Sequence, residues 1–180
     1  MPDEVEIVSY DPGWPDLFAA EESVLRDALP RDAFVAIEHA GSTAIPGVAA
    51  KPIIDIFIAV PSISAAKRTL VEPIKALGYV YWEDNPNPER MFFVKGMPPF
   101  GARRTHHVHL CEPSSEHWSR PLLFRDYLRR HSDQAVRYVE LKRDLAERFR
   151  DDREGYTAAK DAFVLEVVAK ARAEIARAPL

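Results

Sequence analysis

The stretch His39-Ala40-Gly41-Ser42-Thr43-Ala44-Ile45-Pro46-Gly47-Val48-Ala49-Ala50-Lys51-Pro52-Ile53-Ile54-Asp55-Ile56 decides the reading of this chain. It follows one apolar run, Phe34-Val35-Ala36-Ile37, and ends inside another, residues 53–60, which carries one carboxylate. The pattern predicts a strand, a Gly-Ser turn, a short helical or irregular segment, and a second strand holding Asp55. Gly41 has no Cβ, so a phosphate can approach its backbone closely. Backbone N–H groups of a turn opening a helix favour anions, and the Ser42 and Thr43 hydroxyls add donors. Asp55 stands in a run that otherwise belongs in the interior, where a lone carboxylate is costly unless paired or bound to metal. Strand alternation puts Asp55, Phe57 and Ala59 on one face and Ile54, Ile56 and Ile58 on the other. Lys51 precedes Pro52 and is therefore extended. It is read either as a cation for phosphate beside Asp55 or as an exposed lysine.

Upstream, residues 5–10 form a strand or an extended lead-in, and Asp11-Pro12-Gly13 turns the chain into a helix opened by Pro15 and ended by Pro30. Residues 34–38 make the strand before the Gly-Ser turn, with Glu38 and His39 at its end either facing the site or forming a polar rim. Downstream, Ser62 caps a helix to Leu77 that Pro73 kinks or divides. Residues 79–82, 90–95 and 103–110 read as strands separated by polar or Gly-Pro loops. From His117 three helices follow: one to about His131, one over 133–150, and one over 154–178 with Phe163, Val167, Ala171 and Ile175 inward. Crossover and hairpin connections together indicate an α+β fold with a mixed, mostly antiparallel sheet and a C-terminal helical part packed against it.

At 180 residues the chain suits one domain, 1–180, with a sheet part over 1–112 and a helical part over 113–180. A net charge of −4 argues against general nucleic-acid binding. No apolar stretch approaches the roughly 20 residues that span a bilayer, and Met1-Pro2-Asp3-Glu4 does not open a signal peptide. A cytoplasmic protein without a membrane partner is the expectation. One cysteine, Cys111, excludes an internal disulfide and is expected to be a small residue at a strand end.

Three further sets can carry chemistry. In His106-His107-Val108-His109, His107 and His109 point the same way along a strand while His106 points away. Beside the strand of Asp55, they would form a metal or phosphate site, and two imidazoles with one carboxylate suit Mn²⁺, Fe²⁺ or Zn²⁺ better than Mg²⁺. Among Lys51, Arg90, Lys95, Arg103 and Arg104, the arginines Arg90 and Arg104 on or near strands are the preferred phosphate forks, and Lys95 and Arg103 are read as solvated loop charges. Tyr138 and Lys142, and likewise Tyr156 and Lys160, are four apart on helix faces. The lysines either reach phosphate or snorkel at the helix–sheet seam. Arg125 and Arg129 form a similar pair.

The Gly-Ser-Thr-Ala-Ile-Pro-Gly…Lys-Pro-Ile-Ile-Asp string, with Arg104 to Leu110, Tyr138 to Lys142 and Tyr156 to Lys160, resembles the GrpB (UPF0157) family over nearly the whole chain. That family's fold looks like the nucleotidyltransferase superfamily's, in which a Gly-Ser turn precedes a strand bearing Asp-x-Asp or Asp-x-Glu. Gly41-Ser42 and Asp55 match; Phe57 stands where the second carboxylate would be. The resemblance implies transfer of a nucleoside monophosphate to an acceptor, with a divalent ion held by Asp55, His107 and His109: Mg²⁺ or Mn²⁺ first, Zn²⁺ as the alternative. Gly41, Ser42, Thr43, Lys51, Arg90, Arg104, Lys142 and Lys160 would bind the nucleotide or phosphorylated small molecule. The missing carboxylate at Phe57 motivates the alternative, a non-catalytic nucleotide- or CoA-binding accessory module, which the fusion of some members to dephospho-CoA kinase would suit. A metal-dependent hydrolase is the third reading. Spacing leaves the nucleotide, the acceptor and the oligomeric state open.

Overall fold

The apolar run after Pro52 becomes the inner strand of a five-stranded sheet. The computed structural model describes residues 5–177. In chain order these hold α1 (Trp14–Ala28), β1 (Ala36–Ala40), a 3₁₀ turn (Ser42–Ala44), β2 (Ile54–Ala59), α2 (Ile63–Thr69), α3 (Val71–Ala76), β3 (Tyr79–Tyr81), β4 (Arg90–Lys95), β5 (His106–Cys111), α4 (Glu116–Arg130), α5 (Ser132–Arg148), α6 (Arg153–Ala159) and α7 (Asp161–Arg177). The strand order is β1-β2-β5-β4-β3. Only β2 and β5 pair in parallel; the other three pairings are antiparallel, so the fold is α+β with a mixed sheet.

Alternation divides the sheet into two unlike faces. Ile54, Ile56 and Ile58 of β2, Val108 and Leu110 of β5, and Met91 and Phe93 of β4 face α1, α2 and α3 in one core. Asp55, Phe57, His107 and His109 point the other way, toward α4 to α7. A second core, built on Phe124, Leu128, Tyr138, Phe163 and Val167, holds α4, α5 and α7 to one another and to Ile45 and Val48 of the loop after β1, and Tyr156 of α6 packs with Leu145 and Val5. The cleft lies between the sheet and this second layer.

Several boundaries differ from the sequence reading. The first strand runs two residues further, through His39 and Ala40. Residues 5–10 are the extended lead-in, the second of the two readings, with one bridge, Val8 to Ala50. The helix over 62–77 divides at Leu70, and Pro73 falls in the first turn of α3, where its missing N–H costs nothing. The last predicted helix also divides, at Lys160, between α6 and α7. Ile175, expected inward, is 59% exposed. Lys95, read as a solvated charge, faces the first core, and its Nζ donates to both carboxylate oxygens of Glu21 at 2.7 and 2.9 Å. Met1 to Glu4 and Ala178 lie outside the described residues. Among those described, no helix is long and apolar enough to cross a membrane.

Candidate phosphate and metal site

The Gly-Ser loop is pinned from three sides before it contributes to any site. Arg125 of α4 donates to Glu38 Oε2 and to the His39 carbonyl, both at 2.7 Å. Arg129, one turn on, donates twice to the Ala44 carbonyl, at 2.9 and 2.7 Å. Thr43 Oγ1 donates to the Ile53 carbonyl at 3.3 Å and lies 3.0 Å from His39 Nε2. His39 therefore turns away from the cleft, stacked on Phe18, and burial pushes its pKa down to about 4. The Thr43 hydroxyl serves the loop's internal bonding, and Ser42 Oγ is 3.5 Å from the Tyr138 hydroxyl. Gly41 adopts φ 71°, ψ −174°, a combination essentially confined to glycine. A Cβ there would lie 2.3 Å from Asp55 Oδ2. The close approach that glycine permits is thus to the carboxylate of β2.

In the parallel pairing Asp55 stands opposite His107, and Phe57 opposite His109. Asp55 Oδ1 is 2.9 Å from His107 Nδ1 and 3.8 Å from His109 Nε2. Burial raises the Asp55 pKa, but the hydrogen bond from His107, with His109 close by, outweighs it and holds the carboxyl well below its ordinary range. An ionised carboxylate only accepts, so His107 Nδ1 is the donor. His109 is pushed by burial down to about 4, against the pull of Asp55, so its ring is uncharged at neutral pH. It lies between two phenyl rings, stacked on Phe57 at 4.4 Å and tilted against Phe92 at 4.8 Å. His107 Nε2 and His109 Nδ1 are buried with no hydrogen-bond partner. The potential ligand atoms of Asp55, His107 and His109 lie within 4.8 Å of one another. One carboxylate and two imidazoles this close to one another fit a divalent ion.

The residues expected to form the site border one cleft of about 1040 Å³: the loop residues Gly41, Ser42 and Thr43, the triad, and the basic residues Lys51, Arg90, Arg104, Lys142 and Lys160. The cations are placed unequally. Lys142 is 1% exposed; its Nζ donates to the Ala49 carbonyl and lies 4.4 Å over the Tyr138 ring. Lys51 and Lys160 both stand over Tyr156, at 4.8 and 4.2 Å. Burial, then the charges of Lys160 and Lys51, push the Lys142 pKa down to about 6, and burial brings Lys160 to about 8. Arg90 stands 5.5 Å over Phe92 with its Nε buried and unbonded. Cys111 is buried, its thiol pushed by burial up to about 12. Glu38, Lys95 and Arg103 lie outside the cleft. Sequence reasoning did not assign Trp82, Phe92, Arg120 or His117 to the site, all of which line it. It also gave no role to Arg125 and Arg129; their i, i+4 spacing was the one available signal.

Comparison with known proteins adds a consistent set of likenesses. The family model described as GrpB protein matches residues 4–170. A UPF0157 protein of Pseudomonas aeruginosa is 50% identical, over 95% of this chain and 69% of its own length. Glutamate-rich protein GrpB of Alkalihalophilus pseudofirmus is 33% identical, over 92% of this chain and 94% of its own. A dephospho-CoA kinase of Mycolicibacterium paratuberculosis is 33% identical over 87% of this chain, which spans 43% of that protein. The crystal structure of conserved protein GrpB from Enterococcus faecalis superposes with a TM-score of 0.83 at 32% identity, covering 94% of this chain and 99% of that one.

Proposed function

The chain belongs to the GrpB family, and we propose that its cleft binds a nucleotide or another phosphorylated small molecule and transfers a nucleoside monophosphate with the help of a divalent ion. One observation carries this reading: an ionised carboxylate and two imidazoles lie on the floor of a cleft walled by Lys51, Arg90, Arg104, Lys142 and Lys160. Asp55, His107 and His109 would hold the ion, which when bound supplies charge neutralisation at phosphate oxygens. The protein's own groups do the rest. Arg90 and Arg104 present guanidinium donors to phosphate oxygens. Lys51 and Lys160 add positive charge beside Asp55, and the pinned Gly-Ser loop keeps the carboxylate in place. In the transfer, an acceptor oxygen bonds to the α-phosphorus as the bond to pyrophosphate breaks, and the acceptor's proton leaves to solvent. Nucleotides are abundant in the cytoplasm, the compartment this reading assigns.

The test is pyrophosphate release from a nucleotide panel with Mg²⁺, Mn²⁺ or Zn²⁺. Release that Asp55→Asn abolishes supports the reading, and release that survives the change removes Asp55 from the mechanism.

Phe57 favours a second reading. Its ring fills the place of the second superfamily carboxylate, packed with Ala40, Cys111, Trp118 and Leu122 and stacked on His109. A cleft with one acid suits a module that binds a nucleotide or CoA-type ligand without turnover. The likeness to part of a protein named dephospho-CoA kinase suits that role. Thermal shifts with and without divalent ions separate the two: a metal-independent shift without product favours the module.

A further inference from the structure

Four rings form one row across the floor of the cleft: Trp82, Phe92, His109 and Phe57. Register places them there. Phe92 stands opposite His109 and His109 opposite Phe57. The Trp82 N–H donates to the Phe92 carbonyl at 2.9 Å, which continues the β3–β4 pairing by one residue. Ring centroids are 5.9 Å apart between Trp82 and Phe92, 4.8 Å between Phe92 and His109, and 4.4 Å between His109 and Phe57.

The row is buried at one end and open at the other. Phe57 and His109 are interior, Phe92 is half-buried, and Trp82 is 46% exposed although it lines the cleft. Trp14 is buried and Trp118 half-buried, so Trp82 is the only exposed tryptophan. An indole leaves much apolar area in water unless something flat covers it. The cations are distributed around this row. Arg90 stands over Phe92 with an unbonded, buried Nε. Lys51 and Lys160 line the same cleft, both over the Tyr156 ring, and Lys160 feels the charge of Asp55. Trp82 is separated from Phe57 by three strand spacings, about 14 Å, and Asp55 lies two residues further along β2. A ligand with phosphates near Asp55 and the lysines therefore needs an extended body to reach the open rings.

We infer that Trp82 and Phe92 form a platform on which an aromatic base stacks, so that the ligand is a nucleoside phosphate rather than a phosphorylated sugar. This rests on the reading of the cleft as a phosphate site and goes beyond it by fixing what the phosphate is attached to. Every nucleobase has a π-face, so the platform accepts purines and pyrimidines alike.

The full chain, with Mn²⁺ present, is titrated with ATP, CTP, inorganic tripolyphosphate and glucose 1-phosphate, following binding heat and tryptophan fluorescence. Both nucleotides should quench the fluorescence and bind about tenfold or more tightly than glucose 1-phosphate. Trp82→Leu should remove most of the quenching and weaken both nucleotides about tenfold, while changing tripolyphosphate affinity less than about twofold. Trp82→Phe, which keeps a ring, should restore most of the nucleotide affinity. Equal nucleotide binding by the native protein and Trp82→Leu would overturn the inference and leave the phosphate reading standing. So would glucose 1-phosphate and tripolyphosphate binding as tightly as the nucleotides. If none of the four binds, the phosphate reading fails and the platform with it.

Discussion

Asp55 Oδ2 stands where a side chain on Gly41 would begin: a Cβ built on Gly41 lies 2.3 Å from that oxygen. The loop after β1 and the acid of β2 are therefore one structural unit, with a glycine at one point and a carboxylate at the other. The loop's glycine serves the carboxylate first, and any ligand meets the two together.

Gly41→Ala tests that unit, and Gly47→Ala is its control. Both glycines have positive φ, 71° and 76°, but nothing lies within 4 Å of a Cβ on Gly47. Gly47→Ala should cost about 1 kcal/mol of backbone strain and leave the triad intact. Gly41→Ala carries similar strain plus the displacement of Asp55. Urea unfolding should show the larger loss for Gly41→Ala, and only that variant should lose any affinity for divalent ions.

Phe57 supports His109 and packs the sheet against α4. Phe57→Ala would leave a cavity among Ala40, Cys111, Trp118 and Leu122 and remove the stacked partner of His109. A loss of about 3 kcal/mol in denaturant unfolding is the expected outcome. Phe57→Leu, which keeps most of the volume, should lose about half as much.

Much of this arrangement was legible because strands alternate. Asp55 and the His107/His109 pair were assigned to single faces by counting in twos. Bringing the two faces together needed one more fact, the parallel pairing of β2 with β5, which depends on a crossover through α2, α3, β3 and β4. Local pattern does not encode it. Contacts distant in sequence were also hidden. Lys95 looked solvated because its partner Glu21 lies 74 residues earlier on α1. Arg125 and Arg129 looked like an ordinary helical pair because their acceptors belong to the Gly-Ser loop. The break at Lys160 was missed because no Pro or Gly marks it. Trp82 read as the end of a short strand, and its ring acquires meaning only beside Phe92.

Lys142 makes a prediction about pH. Its folded-state pKa lies near 6, below the ordinary 10.5, because burial and the neighbouring lysines disfavour its charge. Between those two values the unfolded chain holds the proton and the folded chain does not. Stability must therefore rise with pH through that window, by up to about 1.4 kcal/mol per unit from this group. Lys142→Met has no proton to exchange. The difference in unfolding free energy between the native protein and Lys142→Met should shift in favour of the native protein from pH 6.5 to 8.5. A pH-independent difference would mean that Lys142 stays charged in the fold.

Arg129 reaches the loop through two donors to one carbonyl, that of Ala44. Arg129→Met keeps the stem and removes the donors. A stability loss of about 1.5 kcal/mol is expected, with faster amide exchange confined to the segment around Ser42–Ala44. Uniform acceleration across the sheet would contradict a local role.

The most direct measurement is anomalous diffraction from crystals soaked in Mn²⁺, or Zn²⁺, with a nucleoside triphosphate. The account predicts one strong peak within coordination distance of Asp55, His107 and His109, phosphate density running from it toward Lys51 and Lys160, and loss of the peak in Asp55→Asn. An empty triad in crystals that bind the ion or the nucleotide elsewhere would contradict it.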